Sequence, residues 1–205
     1  MKQASAIKCL FLDIGGVLLS DGWPLNARER AAVQFGFDFE DFEARHRLVF
    51  DMHQLDRCTL DEYLDRTIFY RPRPFTCDAI HKFVLAQSTP LPDMIALARE
   101  IKDRYDVKVI AVSNEGRELN AHRIAQFKLG EIFDTFVSSC YVHLLKPDPA
   151  IFRLALDVAQ APASETVYVE NTPLFVEVAL AMGIRSIAHT TAEATRTQLA
   201  AYGLA

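Results

Sequence analysis

Short apolar runs that end on a polar residue recur along the chain, separated by helical patterns. The first runs from Ile7 to Asp13 and is followed by Gly15-Gly16. Runs of the same character begin at Val107, Phe133 and Thr166, and a shorter one begins at Ile184. A short continuous apolar run suits a strand buried on both faces, as in a parallel sheet covered by helices. Between the runs, Met94, Leu97, Ala98 and Ile101 form one helical stripe, and Ile151, Phe152, Ala155, Leu156 and Ala159 form another. Strands alternating with helices imply right-handed crossovers. The expected core is therefore a doubly wound, Rossmann-like α/β fold around a parallel sheet.

One stretch breaks the alternation. From about Leu25 to Ser88 there are helical patterns, caps and breakers but no convincing strand. Thr59-Leu-Asp-Glu62 reads as a capping box that opens a helix with Leu60, Tyr63, Leu64 and Ile68 on one face. Arg71-Pro-Arg-Pro74 then ends it and forces an extended link. The expected organisation is an α/β core of residues 1–20 and 89–205, with a helical cap of residues 21–88 inserted after the first strand. Such an insert is a common place for a lid.

The 205 residues suffice for one full core with room for a small accessory domain. No apolar run approaches the ~18 residues that read as a membrane span. The apolar segment near the N-terminus is short and ends in an acid, so it reads as a buried strand and not as a signal peptide. Cys9, Cys58, Cys77 and Cys140 are scattered without metal-ligand spacing, which fits free thiols in a reducing compartment. The expected location is cytoplasmic. A net charge of −5 with no basic run argues against nucleic acid or an anionic membrane as the main partner. A small anion is compatible with it, because such a site needs only a few local positive groups.

In an open parallel sheet, ligands bind beyond the carboxyl ends of the strands. The polar residues expected there are Asp13, Ser113-Asn114, Lys146 and Glu170-Asn171. They make a coherent chemical set. A carboxylate can attack phosphorus, splitting one hard displacement into two. A hydroxyl and backbone N–H groups can bind phosphoryl oxygens, a lysine can neutralise their charge, and further oxygen donors can complete a Mg²⁺ site with Asp13. Each residue also has a plainer reading. Asp13 suits a strand-end turn, Ser113 a helix N-cap, Lys146 a solvated loop, and Glu170-Asn171 ordinary loop polarity.

In order, the chain carries FLDIGGVLL, the strand VIAVSN, KPDPAIF and VYVEN. Together these resemble the motifs of the haloacid dehalogenase (HAD)-like hydrolase superfamily, in its branch with a helical cap after the first motif, and the resemblance spans essentially the whole chain. It implies Asp13 as nucleophile and Ser113 and Lys146 as catalytic phosphate ligands, with Asn114 and Gly16 beside them. It also implies Mg²⁺ held by Asp13, the Gly15 carbonyl, Glu170 and Asn171. Most members of the family are phosphatases, so the implied partner is a small phosphorylated substrate.

Two positions depart from the pattern. The family's active phosphatases usually carry an Asp two residues after the nucleophile as general acid and base, and Gly15 stands there. The acidic pair of the fourth motif is Glu170-Asn171, so one carboxylate becomes a neutral amide. Asp21 and Glu115 are the sequence candidates for the missing acid; His46 and His53 share a helical face that would line the underside of the cap, and Trp23 would serve as hinge or lid contact. Two alternatives to a Mg²⁺-dependent phosphatase follow. One is a metal-independent 2-haloacid dehalogenase, although that branch carries an aromatic at position 15 and an Asp where Phe175 sits. The other is a phosphate-binding protein that has lost turnover.

Overall fold

The computed structural model describes residue 3 and residues 6–204. Five strands form one sheet: β1 (Cys9–Leu12), β2 (Lys108–Ser113), β3 (Thr135–Ser138), β4 (Thr166–Glu170) and β5 (Arg185–Ala188). All pair in parallel, in the order β3-β2-β1-β4-β5. The expected α/β class and parallel sheet are therefore present.

Side chains along the strands alternate between two cores, as a period of two requires. Leu10, Leu12, Val109, Ala111, Val167 and Val169 pack on one face of the sheet. There they meet α5 (Pro92–Arg104) and α10 (Ala192–Ala201), through Met94, Leu97, Ala98, Ile101 and Leu199. Phe11, Ile110, Val112 and Tyr168 pack on the other face. After β3 and a short helix α7 (Ser139–Val142), their partners there are α8 (Pro149–Ala159) and α9 (Pro173–Ala181), through Ile151, Phe152, Ala155 and Ala179. Helices on both faces explain why the strands read as continuous apolar runs: neither face is wet.

Four helices lie between β1 and α5: α1 (Leu25–Phe35), α2 (Phe39–Gln54), α3 (Leu60–Thr67) and α4 (Cys77–Leu85). The chain punctuates them locally. Asp38 and Thr76 cap α2 and α4 through their side chains, and Thr59 with Glu62 closes the expected capping box on α3. The four helices share a core separate from those of the sheet, built on Trp23, Ala31, Phe42, Tyr63, Leu64 and Ile80. The segments leading out to this unit and back lie side by side. The Ser20 N–H donates to the Thr89 carbonyl (2.8 Å), and the Leu91 N–H to that of Leu18 (2.9 Å). No helix among the described residues is long and apolar enough to cross a membrane.

Candidate active site

The strand order reverses at β1. From there the chain winds outward through β2 and β3, then crosses back to β4 on the other side. The crevice beyond the carboxyl ends of β1 and β4 is thus the topological switch point, where open α/β sheets bind ligands. Leu12 pairs with Val169, so the next residues, Asp13 and Glu170, stand level on adjacent strands. The Asp13 N–H still bonds the Val169 carbonyl, at 3.1 Å.

Lys146 joins the two carboxylates. Its Nζ lies 3.1 Å from Asp13 Oδ1, 2.6 Å from Glu170 Oε2 and 3.1 Å from the Tyr168 hydroxyl. All three charged groups are buried. Burial alone would depress the ammonium, but the charges of Asp13 and Glu170 outweigh it and hold Lys146 above its ordinary pKa. Glu170 is raised by burial and then by Asp13, against the pull of Lys146. Its Oε2 also accepts a hydrogen bond from Tyr168, two residues earlier on the same face of β4. Asp13 Oδ1 accepts from the Ile14 N–H as well (2.8 Å), while Oδ2 takes no hydrogen bond from any described residue.

Ser113 sits at the end of β2, with its hydroxyl 3.4 Å from Glu115 Oε1. It does not cap the following helix. That helix, α6 (Arg117–Gln126), starts at Gly116 without a side-chain cap, which removes the plainer reading of Ser113. Asn114 lines the cavity where a phosphate contact is expected, and its side chain also holds the Lys146 backbone. Its Oδ1 accepts from the Lys146 N–H (2.8 Å) and its Nδ2 donates to the Lys146 carbonyl (2.9 Å), a two-point clamp. Gly16 departs from expectation. Its N–H donates to the Leu19 carbonyl (2.7 Å), and at φ +72° an added Cβ would lie 2.0 Å from the Asn171 amide nitrogen. It closes the turn after β1 and lets Asn171 approach.

The corner formed by Gly15, Glu170 and Asn171 tests the fit of a metal. With its nitrogen turned inward, the Asn171 amide donates to the Gly15 carbonyl oxygen (3.3 Å) and to Glu170 Oε1 (2.8 Å). With its oxygen turned inward, three oxygen acceptors crowd one point, an arrangement that a cation relieves. Glu170 Oε1 accepts one N–H, from Thr172 (2.8 Å), and keeps a second lone pair. Oxygen donors of this kind, with Asp13 alongside, suit a hard cation such as Mg²⁺. No group of three or more His, Cys, Asp or Glu side chains with metal-binding geometry exists among the described residues, so a metal here would depend on the carbonyl and amide oxygens.

Asp13, Gly15, Ser113, Lys146 and Asn171 face a cavity of about 330 Å³ whose opposite wall comes from α2, α3, α4 and the segment leading to the four helices. Asp21 lines it too. An ideal Cβ on Gly15 would lie 3.2 Å from Asp21 Oδ1, so the Asp21 carboxylate reaches the space that a side chain at position 15 would enter. Burial, and next the charge of Asp13, raise Asp21 above the ordinary carboxylate range against the pull of Arg123. Glu115, the other candidate acid, is enclosed and paired with Arg123 at 2.5 Å. Of the two histidines, His53 lines the cavity, with Nδ1 3.2 Å from the Cys58 carbonyl. His46 lies inside the helical unit, bonded through Nδ1 to the Tyr63 hydroxyl (2.8 Å). Trp23 is buried in that unit and donates to the same hydroxyl (3.0 Å), while also lining the cavity.

Known proteins agree with this architecture. The chain is 26% identical over 129 residues to bifunctional epoxide hydrolase 2 of Mus musculus, covering 61% of this chain and 23% of that protein. It is 29% identical over 85 residues to a phosphoglycolate phosphatase of Pseudomonas syringae pv. syringae (strain B728a), covering 42% and 31%. The matches thus span about a quarter to a third of the length of these curated relatives. Among solved structures, the HAD family enzyme bt-2542 of Bacteroides thetaiotaomicron, complexed with magnesium and inorganic phosphate, superposes with a TM-score of 0.76. It is 20% identical, over 90% of this chain and 94% of that one. The L-2-haloacid dehalogenase PA0810 shares the fold at a TM-score of 0.63 and 16% identity, over 91% and 86%. A family model described as haloacid dehalogenase-like hydrolase matches residues 7–183. A parallel sheet with its polar strand ends gathered at the switch point, and a family match across most of the chain, lead to one conclusion: this chain belongs to the haloacid dehalogenase-like hydrolases.

Proposed function

We propose that the protein is a Mg²⁺-dependent phosphatase of small phosphate monoesters, with Asp13 as nucleophile and α1–α4 as a cap over the site. The observation that carries this reading is the buried Lys146 ammonium held between Asp13 and Glu170 at the switch point. It restrains one oxygen of Asp13 and leaves the other unbonded by any described residue, beside a cation suited to phosphoryl oxygens. Asp13 attacks phosphorus, the P–O bond to the leaving group breaks, and an aspartyl-phosphate forms. Ser113 and Lys146 bind the phosphoryl oxygens, and the Asn114 clamp keeps Lys146 in place. Asp21 gives its proton to the departing oxygen. As a carboxylate it then takes one from the water that hydrolyses the aspartyl-phosphate, releasing phosphate and restoring Asp13. The donors for Mg²⁺ are Asp13, the Gly15 carbonyl, Glu170 and Asn171; when bound, the ion offsets negative charge on the phosphoryl group.

Phe175 disfavours the dehalogenase reading. It stands where that branch has an acid, and its ring centroid is 5.0 Å from Lys146 Nζ. The deciding experiment is hydrolysis of 4-nitrophenyl phosphate with Mg²⁺ or with EDTA, alongside Asp13→Asn. The expected result is turnover that needs the metal and falls by on the order of 10³ or more in the variant. Full activity in Asp13→Asn would remove Asp13 from the mechanism. No turnover under any condition would sink the enzyme reading and favour a phosphate-binding protein, unless chloride is released from a 2-haloacid.

A further inference from the structure

We infer that the preferred substrate carries an uncharged, mainly apolar alkyl or aryl leaving group, in place of a sugar, an acid or a nucleotide. The inference rests on the phosphatase reading of the same site. The cavity has two unlike sides. Asp13, Ser113, Lys146 and Asn171 gather at the strand ends, where the phosphate belongs. Facing them are Trp23, Phe50, Leu60, Tyr63, Val84 and, from α6, Leu119.

The polar atoms on this far side are mostly occupied. Trp23 Nε1 donates to the Tyr63 hydroxyl, which also bonds His46 Nδ1. The two large aromatics therefore turn their polar tips toward each other. His53 directs Nδ1 to the Cys58 carbonyl, and its Nε2 lies so close to Gly116 that a Cβ there would be 2.0 Å away. Gln54 contacts the Asn114 carbonyl at 3.4 Å. A polyol placed here would give up its water for few replacement partners.

Charge points the same way. Among the described residues lining the cavity, the Lys and Arg side chains are Lys146 and Arg123. Lys146 is on the phosphate side, and Arg123 is neutralised by Glu115. The cap side contributes no Lys or Arg among the described residues lining the cavity, so a second anionic group would leave water without meeting a cation. An apolar group meets neither obstacle and gains from leaving water.

The test measures equilibrium binding of non-hydrolysable phosphonates to the whole chain in the presence of Mg²⁺. The probes are methyl-, butyl- and phenylphosphonate, 3-phosphonopropionate and 2,3-dihydroxypropylphosphonate. Each methylene that enters the apolar side should tighten binding by up to about fourfold, so butyl- and phenylphosphonate should exceed methylphosphonate by about tenfold or more. The carboxylated and hydroxylated probes should gain nothing over methylphosphonate. Phe50→Ser should shrink the butyl-to-methyl ratio.

Equal or tighter binding of the acid or the polyol overturns the inference, as does a flat series or a failure of all the phosphonates to bind. The two readings fail separately. The expected ranking without hydrolysis of any ester refutes the phosphatase and keeps the apolar pocket. Asp13-dependent hydrolysis with a flat ranking does the reverse.

Discussion

At Gly15 the backbone comes within reach of a side chain six positions further along, because an ideal Cβ there would sit 3.2 Å from Asp21 Oδ1. Asp21 and Glu115 were equally available as acids in the sequence. Both line the cavity; what separates them is that Glu115 is buried and paired with Arg123, whereas Asp21 is exposed. If Asp21 moves the proton, Asp21→Asn should slow hydrolysis of alkyl phosphates by about 10²–10⁴. Aryl phosphates, whose leaving groups depart without a proton, should lose far less. Adding Gly15→Asp to that variant should restore part of the alkyl turnover, since the neutral amide does not repel a new carboxylate at that position. Equal losses on both ester classes in steady-state kinetics would show that Asp21 is not the acid.

Within the four-helix unit, α2 and α3 meet through a polar network that no periodicity reveals. Tyr63 accepts from Trp23 and donates to His46 Nδ1, a pattern satisfied by a neutral imidazole. Burial, and then the nearby Arg28, lower the His46 pKa to about 4. Glu43, which pairs with Arg28 and faces His46, opposes the shift. An unfolded chain protonates this histidine near pH ~6.5. Between these values the unfolded state binds a proton that the folded state does not. The His46 contribution is therefore present above pH ~6.5 and is lost as pH falls toward about 4, by up to about 3 kcal/mol. Urea midpoints measured across this range should slope more steeply for the natural chain than for His46→Gln, which retains an acceptor for Tyr63. Identical slopes would contradict a neutral buried His46. The stripe on α3 and its capping box were legible in the sequence. The role of His46 was not, because a histidine on an apolar face reads equally as cavity wall or as interior.

For the whole molecule, Arg123 ties α6 to both segments that lead to the four-helix unit. From α6 its Nη2 donates to the Ser20 carbonyl (2.7 Å) and its Nε to the Ser88 hydroxyl (2.8 Å), while Nη1 pairs with Glu115. Both partners of the ion pair are buried, so removing one strands the other charge. Arg123→Met should cost about 3–5 kcal/mol. Adding Glu115→Gln should recover part of that loss by removing the stranded carboxylate. Denaturant unfolding of the three proteins checks this, and an additive double variant would show that the two residues act independently.

Local sequence patterns suffice for the α/β class, the position of the strands and the helical stretch that interrupts them. Burial on both sheet faces, caps and breakers are written in local patterns, and Asp13, Ser113 and Glu170 each follow a strand or end one, whereas Lys146 comes after β3 and the short helix Ser139–Val142 that follows it. Contacts between distant segments belong to the tertiary structure. Only the folded chain clamps the Asn114 amide on Lys146 and sets the Lys146 ammonium between Asp13 and Glu170. Only the folded chain sets Asp21 beside Gly15 and Arg123 across both segments that lead to the four-helix unit. The physical reason is that residue type and spacing limit what a side chain can bond, whereas its actual partner depends on which distant segment packing brings within about 3 Å.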